Sequence, residues 1–406
     1  MPTFKVALAT GNYHHIRDGV SITLNRWVQF LLDQGVDVRV FAPTVKEPQM
    51  DAPGTLIPVR SFPIPFRPEY RLSTGLSRKA KRELEAFDPD IIQIATPDRL
   101  GFDMLSWAKH HKKPIAATYH TNFVSYLSYY GVHWLTKWVQ KTSNNFYNQC
   151  DRVFVPTQSM QDELRRQGVD PHRLARWSRG VDTTLFSPTK RNSTWRKKHQ
   201  IPENSVVCTY VSRLVAEKNT ALFCEWMNHL EQRLTSSRLK SPKHEASNAD
   251  DAESINEFTE MTICVVGEGP TQEAMRQACP NARFLGTCLG EDLAEAYANS
   301  DLFVFPSISE TFGNVTLEAM ASGVAVVVAD SPGSSSLVED QVSGRVIPAD
   351  YLHNVEWVTT MLKDLVMHPS KRKALSAAAL TKARTFDSNS IQQEFLNELT
   401  DMISNA

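Results

Sequence analysis

The sequence predicts an α/β protein made of two Rossmann-like, doubly wound domains that face a cleft. The first observation is length, because 406 residues exceed what one compact core usually holds. The second is that short apolar runs alternate with helical patterns in each half, which is the order of a parallel sheet with crossover helices. The third is a polar, basic stretch over residues 189–200, which predicts a linker between the halves.

The first half opens with a strand–helix–strand unit. Residues 4–9 form an apolar run, and residues 36–41 form another. Between them, apolar side chains recur at helical spacing up to Gly35, where the helix should end. The recurring side chains are Leu24, Trp27, Val28, Leu31 and Leu32. Further strands are predicted over residues 91–94, 115–118 and 152–155.

The second half repeats this pattern after the linker. Strands are predicted over residues 206–211, 262–266, 302–305 and 325–329. Polar residues dominate residues 235–256, where we expect an exposed, mobile insertion without a chemical role. Helices are expected from residue 351 onward. We therefore predict an N-terminal domain (residues 1–188), a C-terminal domain (residues 189–365) and C-terminal helices (residues 366–406).

Composition excludes several classes of protein. Charged residues make up 22% of the chain and the net charge is −1, which argues against a nucleic-acid binder. Residues 1–188 hold 24 Lys and Arg against 17 Asp and Glu, a balance of +7, and the remainder holds 20 against 28, a balance of −8. Six cysteines without a C-x-x-C pair indicate reduced thiols in a cytoplasmic protein. No apolar run approaches the roughly 18–20 residues of a spanning helix, so membrane contact would be peripheral.

Residues 306–321 place one carboxylate in a loop and a second on a helix. Glu310 follows a predicted strand, Gly313 and Asn314 form a turn, and Glu318 lies on a helix that Gly323 should end. The helix N-terminus offers backbone N–H groups and a positive dipole end to a diphosphate. Glu310 can then accept hydrogen bonds from a hexose and Glu318 from a ribose. The pattern predicts a nucleotide-sugar site, although two glutamates at this spacing also occur by chance.

The same residues carry a resemblance to a known family. Glu310 and Glu318 fall on the E-x7-E motif of the family-4 retaining glycosyltransferases. The surrounding sequence, S-E-T-F-G-N-V-T-L-E-A-M-A-S-G, also resembles the sequence of that family around its motif. Residues 211–219 resemble that family's G-R-L-x-x-x-K-N segment, with Ser212 where a glycine is usual. Residues 266–270 resemble its G-x-G-P loop, residues 301–307 its late strand, and residues 177–182 its R-G-V-D segment. The segments Y-H-T-N-F and W-S-R-G-V-D resemble those of one branch of the family, which contains lipid mannosyltransferases and sulfolipid and glucosyl-diacylglycerol synthases.

This resemblance covers nearly the whole chain and implies the glycosyltransferase B fold. It assigns Arg213 and Lys218 to the diphosphate of the leaving nucleotide. It assigns Glu310 to sugar binding and to stabilisation of an oxocarbenium-like transition state, not to nucleophilic attack. The residues that it assigns to the donor are Gly19, Gly267, Phe312, Gly313, Asn314 and Glu318. Gly19 follows Asp18, where the family often has a second glycine, so its contact is the less defined one.

His120 follows a predicted strand, at the end where a parallel sheet binds its ligand. A lone histidine is more often structural, but the resemblance places this one beside the donor sugar, where it would orient or polarise. The other histidines lack the H-x-x-x-H spacing of metal ligands. Asp88-Pro89-Asp90 resembles a D-x-D metal motif but precedes its strand, so we interpret it as a turn. No metal or other cofactor is therefore expected.

Aromatic and basic residues are concentrated in the basic half. The aromatic residues include Tyr126, Tyr129, Tyr130, Trp134, Trp138 and Phe146, with Lys137 and Lys141 between them. The second group consists of Arg67, Arg71, Arg78, Lys79, Lys81 and Arg82 near Phe62, Ile64 and Phe66. Such residues are usually core or solvated surface. With the resemblance, they predict peripheral binding to anionic lipid on the inner face of the plasma membrane.

We therefore expect a retaining hexosyltransferase that uses a UDP- or GDP-sugar and a lipid hydroxyl acceptor. Three alternatives remain open from the sequence. The acceptor can be a soluble sugar or a polysaccharide precursor. The chain can instead be a sugar-nucleotide 2-epimerase, which shares the fold, or a nucleotide-sugar binding subunit without activity.

Overall fold

The computed structural model describes residues 4–64, 67–119, 133–240, 260–310 and 312–406. The chain divides into two compact units. The N-terminal domain comprises the chain up to Gly180 together with Asn389–Ala406, and the C-terminal domain comprises Val181–Ser388. Each domain has its own parallel sheet. The predicted α/β class with two parallel-sheet domains is therefore confirmed.

The N-terminal domain has nine strands among the described residues. They are β1 (Lys5–Ala9), β2 (Asp37–Pro43), β3 (Thr55–Val59), β4 (Ser61–Ile64), β5 (Arg67–Ser73), β6 (Ile91–Ile94), β7 (Ile115–Thr118), β8 (Arg152–Val155) and β9 (Leu174–Arg176). Seven of them form a parallel sheet in the order β3-β2-β1-β6-β7-β8-β9, and β4 pairs with β5 as an antiparallel hairpin. The helices before the domain boundary are α1 (Gly19–Asp33), α2 (Arg78–Phe87), α3 (Arg99–His110), α4 (His133–Tyr147) and α5 (Gln158–Arg166).

The central strands of this sheet are mostly apolar, which suits a sheet with helices on both faces. Every residue of β6 and β7 is buried, as expected for a parallel sheet with crossover helices. Helix α1 begins where the Asp18 carboxylate accepts hydrogen bonds from the N–H groups of Val20 and Ser21, at 3.1 and 2.8 Å. It ends before Gly35, whose φ of +81° is the left-handed conformation of a helix C-terminus.

The C-terminal domain repeats the architecture, with six strands in the part of it that the structure describes. They are β10 (Val206–Val211), β11 (Met261–Val266), β12 (Arg283–Gly286), β13 (Leu302–Phe305), β14 (Ala325–Ala329) and β15 (Arg345–Ile347). They form one parallel sheet in the order β12-β11-β10-β13-β14-β15. Its helices are α6 (Ser193–Lys198), α7 (Thr220–Lys240), α8 (Gln272–Ala278), α9 (Gly290–Ala298), α10 (Asn314–Ala321), α11 (Ser334–Leu337), α12 (Val355–Met367) and α13 (Pro369–Ala383).

The last helix, α14 (Ser388–Ser404), packs within the N-terminal domain. Phe395 anchors it, because its ring centroid lies 4.0 Å from that of Trp177, 4.5 Å from that of Trp27 and 4.6 Å from that of Phe154. Phe395 is 2% exposed, so most of its side chain is removed from water. Burial of an aromatic side chain stabilises this attachment by about 2 kcal/mol.

The structure corrects one expectation about connecting segments and the start of another. Residues 189–200, expected to be a linker, contain α6 and belong to the C-terminal domain. Trp195 of this helix is buried, and Arg196 Nη2 lies 3.0 Å from Asp301 Oδ2. A buried ion pair requires a fixed partner, which a free linker does not provide. Residues 235–240, expected to begin the insertion, instead continue α7; the rest of the expected insertion lies outside the described residues, so it stays a prediction.

Candidate active site

The carboxyl ends of β10, β11, β13 and β14 meet at one edge of the C-terminal sheet. Strand β10 pairs with β11 on one side and with β13 on the other, so the chain reverses its direction of travel across the sheet at this point. Doubly wound sheets bind ligands in the crevice at such a switch point. The loops after β10 and β13 carry Arg213, Lys218 and Glu310, which places three predicted site residues at this edge.

Lys218 and Glu310 form a close ion pair across the switch point. Lys218 Nζ lies 2.5 Å from Glu310 Oε1 and 3.2 Å from Ser309 Oγ. Ser307, which is fully buried, donates to the same Glu310 oxygen at 3.0 Å. The Lys218 and Glu310 side chains are 17% and 15% exposed, so water screens their attraction only partly.

Arg213, the second cation of the loop, also lies beside a carboxylate. Its Nη2 is 3.6 Å from Oε1 of Glu217, and the Glu217 side chain is 7% exposed. The Arg213 side chain is 34% exposed and therefore accessible to a ligand. The loop thus holds two cations, one largely buried and one half-buried, within six residues of each other.

Tyr210 fixes the backbone of this loop and is a site residue that sequence reasoning missed. Its hydroxyl donates to the Lys218 carbonyl at 3.1 Å. Burial raises the pKa of Tyr210 well above its usual range, and the nearby Glu310 carboxylate adds to that effect. The hydroxyl therefore stays protonated and remains a donor. An apolar strand pattern hides such a residue, because Tyr210 is one of six buried residues of β10.

Gly267 is explained by close packing of two backbones. Its φ is +122°, and a Cβ there would overlap the carbonyl oxygen of Ser212. Gly269 approaches the Leu214 carbonyl in the same manner, and the Leu214 N–H donates to the Glu268 carbonyl at 2.9 Å. These contacts hold the loop that carries Arg213. A direct contact of Gly267 with the donor stays a prediction.

Helix α10 begins at the same edge without a side-chain cap from the described residues. Gly313 precedes it with φ +93° and ψ +52°, a left-handed conformation that glycine adopts without strain. Asn314 is the first helical residue and is partly exposed, and the first turn offers backbone N–H groups to an anion. Phe312 is 1% exposed and packs near Phe386, so it supports the turn from the protein interior.

A second segment missed from the sequence, residues 331–334, supports that turn. The Gly333 N–H donates to the Glu310 carbonyl at 2.8 Å, and a Cβ on Gly333 would overlap the backbone of Phe312. A Cβ on Gly313 would lie 2.8 Å from Ser334 Oγ. The sequence S-P-G-S-S-S reads as an ordinary turn, and only the fold shows which loop it touches.

Glu318 lies one turn into α10 and is held by a tyrosine. The Tyr297 hydroxyl donates to Glu318 Oε2 at 3.3 Å from the neighbouring helix α9. Burial raises the pKa of Tyr297 well above its usual range, and the Glu318 carboxylate raises it further. The protonated hydroxyl therefore orients this carboxylate. Tyr297 was not identified from the sequence because a buried helical tyrosine looks like core.

Gly19 lies in the N-terminal domain, as the first residue of α1. Its carbonyl accepts hydrogen bonds from Thr23 Oγ1 at 2.7 Å and from Arg179 Nη1 at 3.4 Å. The preceding Asp18 caps the helix and also accepts from Asn12 Nδ2 at 3.1 Å. The hydrogen bond between Asn12 and Asp18 therefore holds the loop that precedes α1. The prediction for His120 concerns a residue outside the described ranges.

The residues of the D-x-D-like turn have structural partners. Asp88 pairs with Lys113 Nζ at 2.8 Å, and Asp90 accepts from the backbone N–H of Lys5 at 2.7 Å. Both lie before β6, at the amino edge of the sheet. Among the residues that the structure describes, no group of three His, Cys, Asp or Glu side chains could hold a metal ion.

Two family models match successive parts of the chain. The model described as Glycosyltransferase Family 4 matches residues 17–185, and the one described as Glycosyl transferases group 1 matches residues 191–381. The chain belongs to the family-4 glycosyltransferases. It is a glycosyltransferase enzyme, which excludes the epimerase and the inactive binding subunit considered from the sequence.

Named relatives of this glycosyltransferase agree with the expected branch. It is 29% identical to the sulfoquinovosyl transferase of Arabidopsis thaliana over 94% of this chain and 70% of that protein. It is 28% identical to a GDP-mannose-dependent alpha-mannosyltransferase of Mycobacterium tuberculosis over 94% and 93%. The alpha-monoglucosyldiacylglycerol synthase of Streptococcus pneumoniae is 23% identical over 84% and 75%.

Solved structures of glycosyltransferases share the fold of this enzyme. Sucrose-phosphate synthase from Thermosynechococcus elongatus superimposes with a TM-score of 0.75 at 16% identity over 99% of this chain and all of that one. Anabaena HepE, solved in complex with UDP and glucose, gives 0.68 at 19% identity over 98% and all of that chain. The expected glycosyltransferase B fold is confirmed by these neighbours.

Proposed function

We propose that this glycosyltransferase transfers a hexose, with retention of configuration, from a UDP- or GDP-sugar to a hydroxyl of a glycerolipid or other membrane lipid. One observation carries the donor half of the proposal. At the switch point of the C-terminal sheet, the N-terminus of α10 lies on the same edge as the cations Arg213 and Lys218 and the carboxylate Glu310. That edge offers positive charge to a diphosphate and hydrogen-bond acceptors to sugar hydroxyls.

The expected donor contacts follow from that arrangement. Arg213, Lys218 and the backbone N–H groups of Asn314 and its neighbours would bind the diphosphate. Glu310 would accept from hexose hydroxyls, and Glu318, oriented by Tyr297, would accept from the ribose. A named relative is GDP-mannose-dependent and a structural neighbour holds UDP, which supports a nucleotide-sugar donor in either base form.

The chemistry requires the donor C1–O bond to break and a bond from C1 to the acceptor oxygen to form. The acceptor hydroxyl attacks from the face of the leaving diphosphate, and a phosphate oxygen takes the hydroxyl proton. Negative charge grows on the diphosphate during this step, so Arg213 and Lys218 stabilise the transition state more than the ground state. We propose that these two cations supply the charge for which other transferases use a metal ion, so that no cofactor is needed.

The surface of the N-terminal domain supports a membrane-bound acceptor. On the β4–β5 hairpin, Phe62 lies directly opposite Leu72, and they are 50% and 41% exposed. Helix α2 buries Ala80, Leu84 and Phe87. It exposes Arg78, Lys79, Lys81 and Arg82. Trp138 of α4 is 65% exposed between exposed lysines 137 and 141. A domain that exposes both apolar and basic side chains suits an anionic lipid interface.

The proposed location is the cytoplasmic face of the plasma membrane, with peripheral contact. One relative is named as an alpha-monoglucosyldiacylglycerol synthase, which supports a lipid acceptor. The predicted aromatic residues from Tyr126 to Trp134 add nothing to this argument, because their side chains lie outside those that the structure describes. Within the described residues, no helix combines the length and apolar character that crossing a membrane requires.

The test is a transfer assay with radiolabelled UDP-glucose and GDP-mannose, with and without a lipid extract. We expect one donor to give a labelled product that partitions into the organic phase, with the anomeric configuration of the donor. EDTA should leave the rate unchanged. A product formed only with soluble sugars would replace the lipid acceptor by a soluble one. Inversion at C1, or a strict need for Mg²⁺ or Mn²⁺, would overturn the proposed mechanism.

A further inference from the structure

The ion pair across the switch point joins two residues assigned to opposite ends of the donor. Lys218 is assigned to the diphosphate and Glu310 to the hexose, yet Nζ and Oε1 lie 2.5 Å apart. An ammonium has three N–H donors, and in this structure two of them point to Glu310 and Ser309. A diphosphate that recruits Lys218 must therefore compete with a carboxylate of the protein itself.

The competition is strong because the pair is held from both sides. Ser307 is fully buried and donates to the same Glu310 oxygen, and the Tyr210 hydroxyl fixes the Lys218 carbonyl. With side chains 17% and 15% exposed, the two charges are screened less than a surface pair would be. The nucleoside diphosphate and Glu310 thus compete for the Lys218 ammonium in a site that is partly shielded from water.

We propose that Glu310 competes internally for Lys218, so that the site holds an intact nucleotide-sugar more tightly than the nucleoside diphosphate that remains after transfer. The inference rests on the proposed donor site. When a hexose is present, its hydroxyls donate to Glu310 and occupy the carboxylate oxygens, which leaves Lys218 for the diphosphate. When the hexose has been transferred, Glu310 recovers Lys218 and weakens the hold on the product.

The experiment is calorimetric titration of wild type and variants with UDP, GDP, UDP-glucose and GDP-mannose. Glu310→Gln removes the charge but keeps a side chain that can bond to Ser307. It should bind the nucleoside diphosphate about three- to tenfold more tightly than wild type does, because one charge pair no longer competes. The ratio between the affinities for nucleotide-sugar and nucleoside diphosphate should fall by at least the same factor.

A double-mutant cycle identifies Lys218 as the partner through which Glu310 acts. In a Lys218→Met background, Glu310→Gln should leave the affinity for nucleoside diphosphate unchanged. Glu273→Gln, which removes one exposed negative charge from α8 in the same domain, controls for net charge and should have little effect. Circular dichroism melts establish that each variant is folded.

The outcomes separate this inference from the function on which it rests. Wild type that binds neither UDP nor GDP nor their sugars would contradict the proposed donor site itself. Wild type that binds one nucleotide, while Glu310→Gln binds that nucleotide equally or more weakly, would overturn the competition alone. Equal tightening with and without Lys218 would also overturn it, because the effect would then be one of general charge.

Discussion

Single side chains at the C-terminal edge are held by partners that the sequence pattern does not reveal. Glu310 is fixed by Ser307 and Lys218, and Glu318 by Tyr297. A carboxylate that is already oriented loses less entropy when a sugar hydroxyl binds it. The two glutamates nevertheless differ in expected role, because the hexose bears the developing charge and the ribose does not.

This difference predicts different kinetic effects of the two glutamates. Glu310→Gln should lower kcat by about 100-fold or more with a small change in the KM for the donor, because its contact strengthens in the transition state. Glu318→Ala should mainly raise the KM for the donor. Steady-state kinetics with the active nucleotide-sugar measure both. An unaltered kcat in folded Glu310→Gln protein would exclude the catalytic assignment.

Tyr297→Phe removes only the hydroxyl that orients Glu318. We expect nucleoside diphosphate binding to weaken about tenfold, since a hydrogen bond to a charged group contributes about 1.5 to 3 kcal/mol and this one is only partly buried. The preference for UDP or GDP over its 2′-deoxy analogue should fall in titration calorimetry. Ser300→Ala is the matched control, because Ser300 makes a buried hydroxyl contact with Thr209 near the end of α9. If Tyr297→Phe lowered stability but left the preference for the ribonucleotide over its 2′-deoxy analogue unchanged, Tyr297 would have only a structural role in the core.

At this scale, the sequence identified charged residues and missed their supports. Glu310 and Glu318 stand out by their spacing around a strand, a glycine turn and a helix, and Arg213 and Lys218 by the resemblance to the family. Tyr210 and Tyr297 are hidden, since their rings belong to the core and only their hydroxyls reach the site. Which hydroxyl meets which carboxylate depends on tertiary packing between helices and strands, which periodicity does not encode.

The sequence predicts the central strands of each sheet well, but it does not predict the edge strands. Central strands such as β6, β7 and β13 have the predicted bounds, because both faces are buried and the runs are almost entirely apolar. The unpredicted parallel strands are β3, β9, β12 and β15, and each lies at the edge of its sheet. An edge strand is partly exposed, so its composition resembles that of a loop.

The loop from Ser331 to Ser334 forms a contact on which the N-terminal turn of α10 depends. Gly333→Ala should destabilise the domain by about 1 to 3 kcal/mol, because the new methyl group overlaps the Phe312 backbone. The displaced turn should also weaken nucleotide binding. Thermal melts and titration calorimetry measure the two effects.

A glycine in open space provides the control for that substitution. Gly290 has φ +52° and no heavy atom within 4 Å of the position that a Cβ would occupy. Gly290→Ala should therefore cost only the backbone strain, about 1 kcal/mol, and leave nucleotide binding intact. Equal loss of binding in both variants would show that the contact with Phe312 is not responsible.

The whole molecule should lose stability in mild acid because of a buried histidine in the N-terminal domain. Burial, with His14 and Arg71 nearby, lowers the pKa of His15 from 6.5 to about 4. The unfolded chain therefore binds a proton at a higher pH than the folded protein does. The contribution of neutral His15 to the free energy of unfolding is therefore complete above pH 6.5. It is lost as the pH drops towards 4, by at most about 3 kcal/mol. Urea unfolding at several pH values should show a flatter profile for His15→Gln.

Charge is divided between the two halves of the molecule, and the N-terminal half is the one that should meet a membrane. Its balance of +7 contrasts with −8 for the rest of the chain. Exposed basic residues lie on α2 and α4, and exposed apolar side chains of the same domain include Trp138 on α4 and Phe62 on the hairpin. The positive charge of this half would attract it to anionic lipid, and the exposed apolar side chains would insert at the headgroup level.

Co-sedimentation with phosphatidylglycerol vesicles tests this division. Binding should be strong at low salt and fade as ionic strength rises, because each basic residue near the surface contributes about 1 kcal/mol and is screened within a Debye length. The pairs Arg78→Glu with Lys79→Glu, and Lys137→Glu with Lys141→Glu, should each weaken binding at least tenfold. Trp138→Ala should weaken it at every salt concentration, since its contribution is not electrostatic. The control is Lys197→Glu with Lys198→Glu on the C-terminal domain, which changes the net charge of the protein equally and should leave vesicle binding unaltered. An equal loss of binding in this control would mean that the total charge of the protein, not the N-terminal surface, determines binding to lipid.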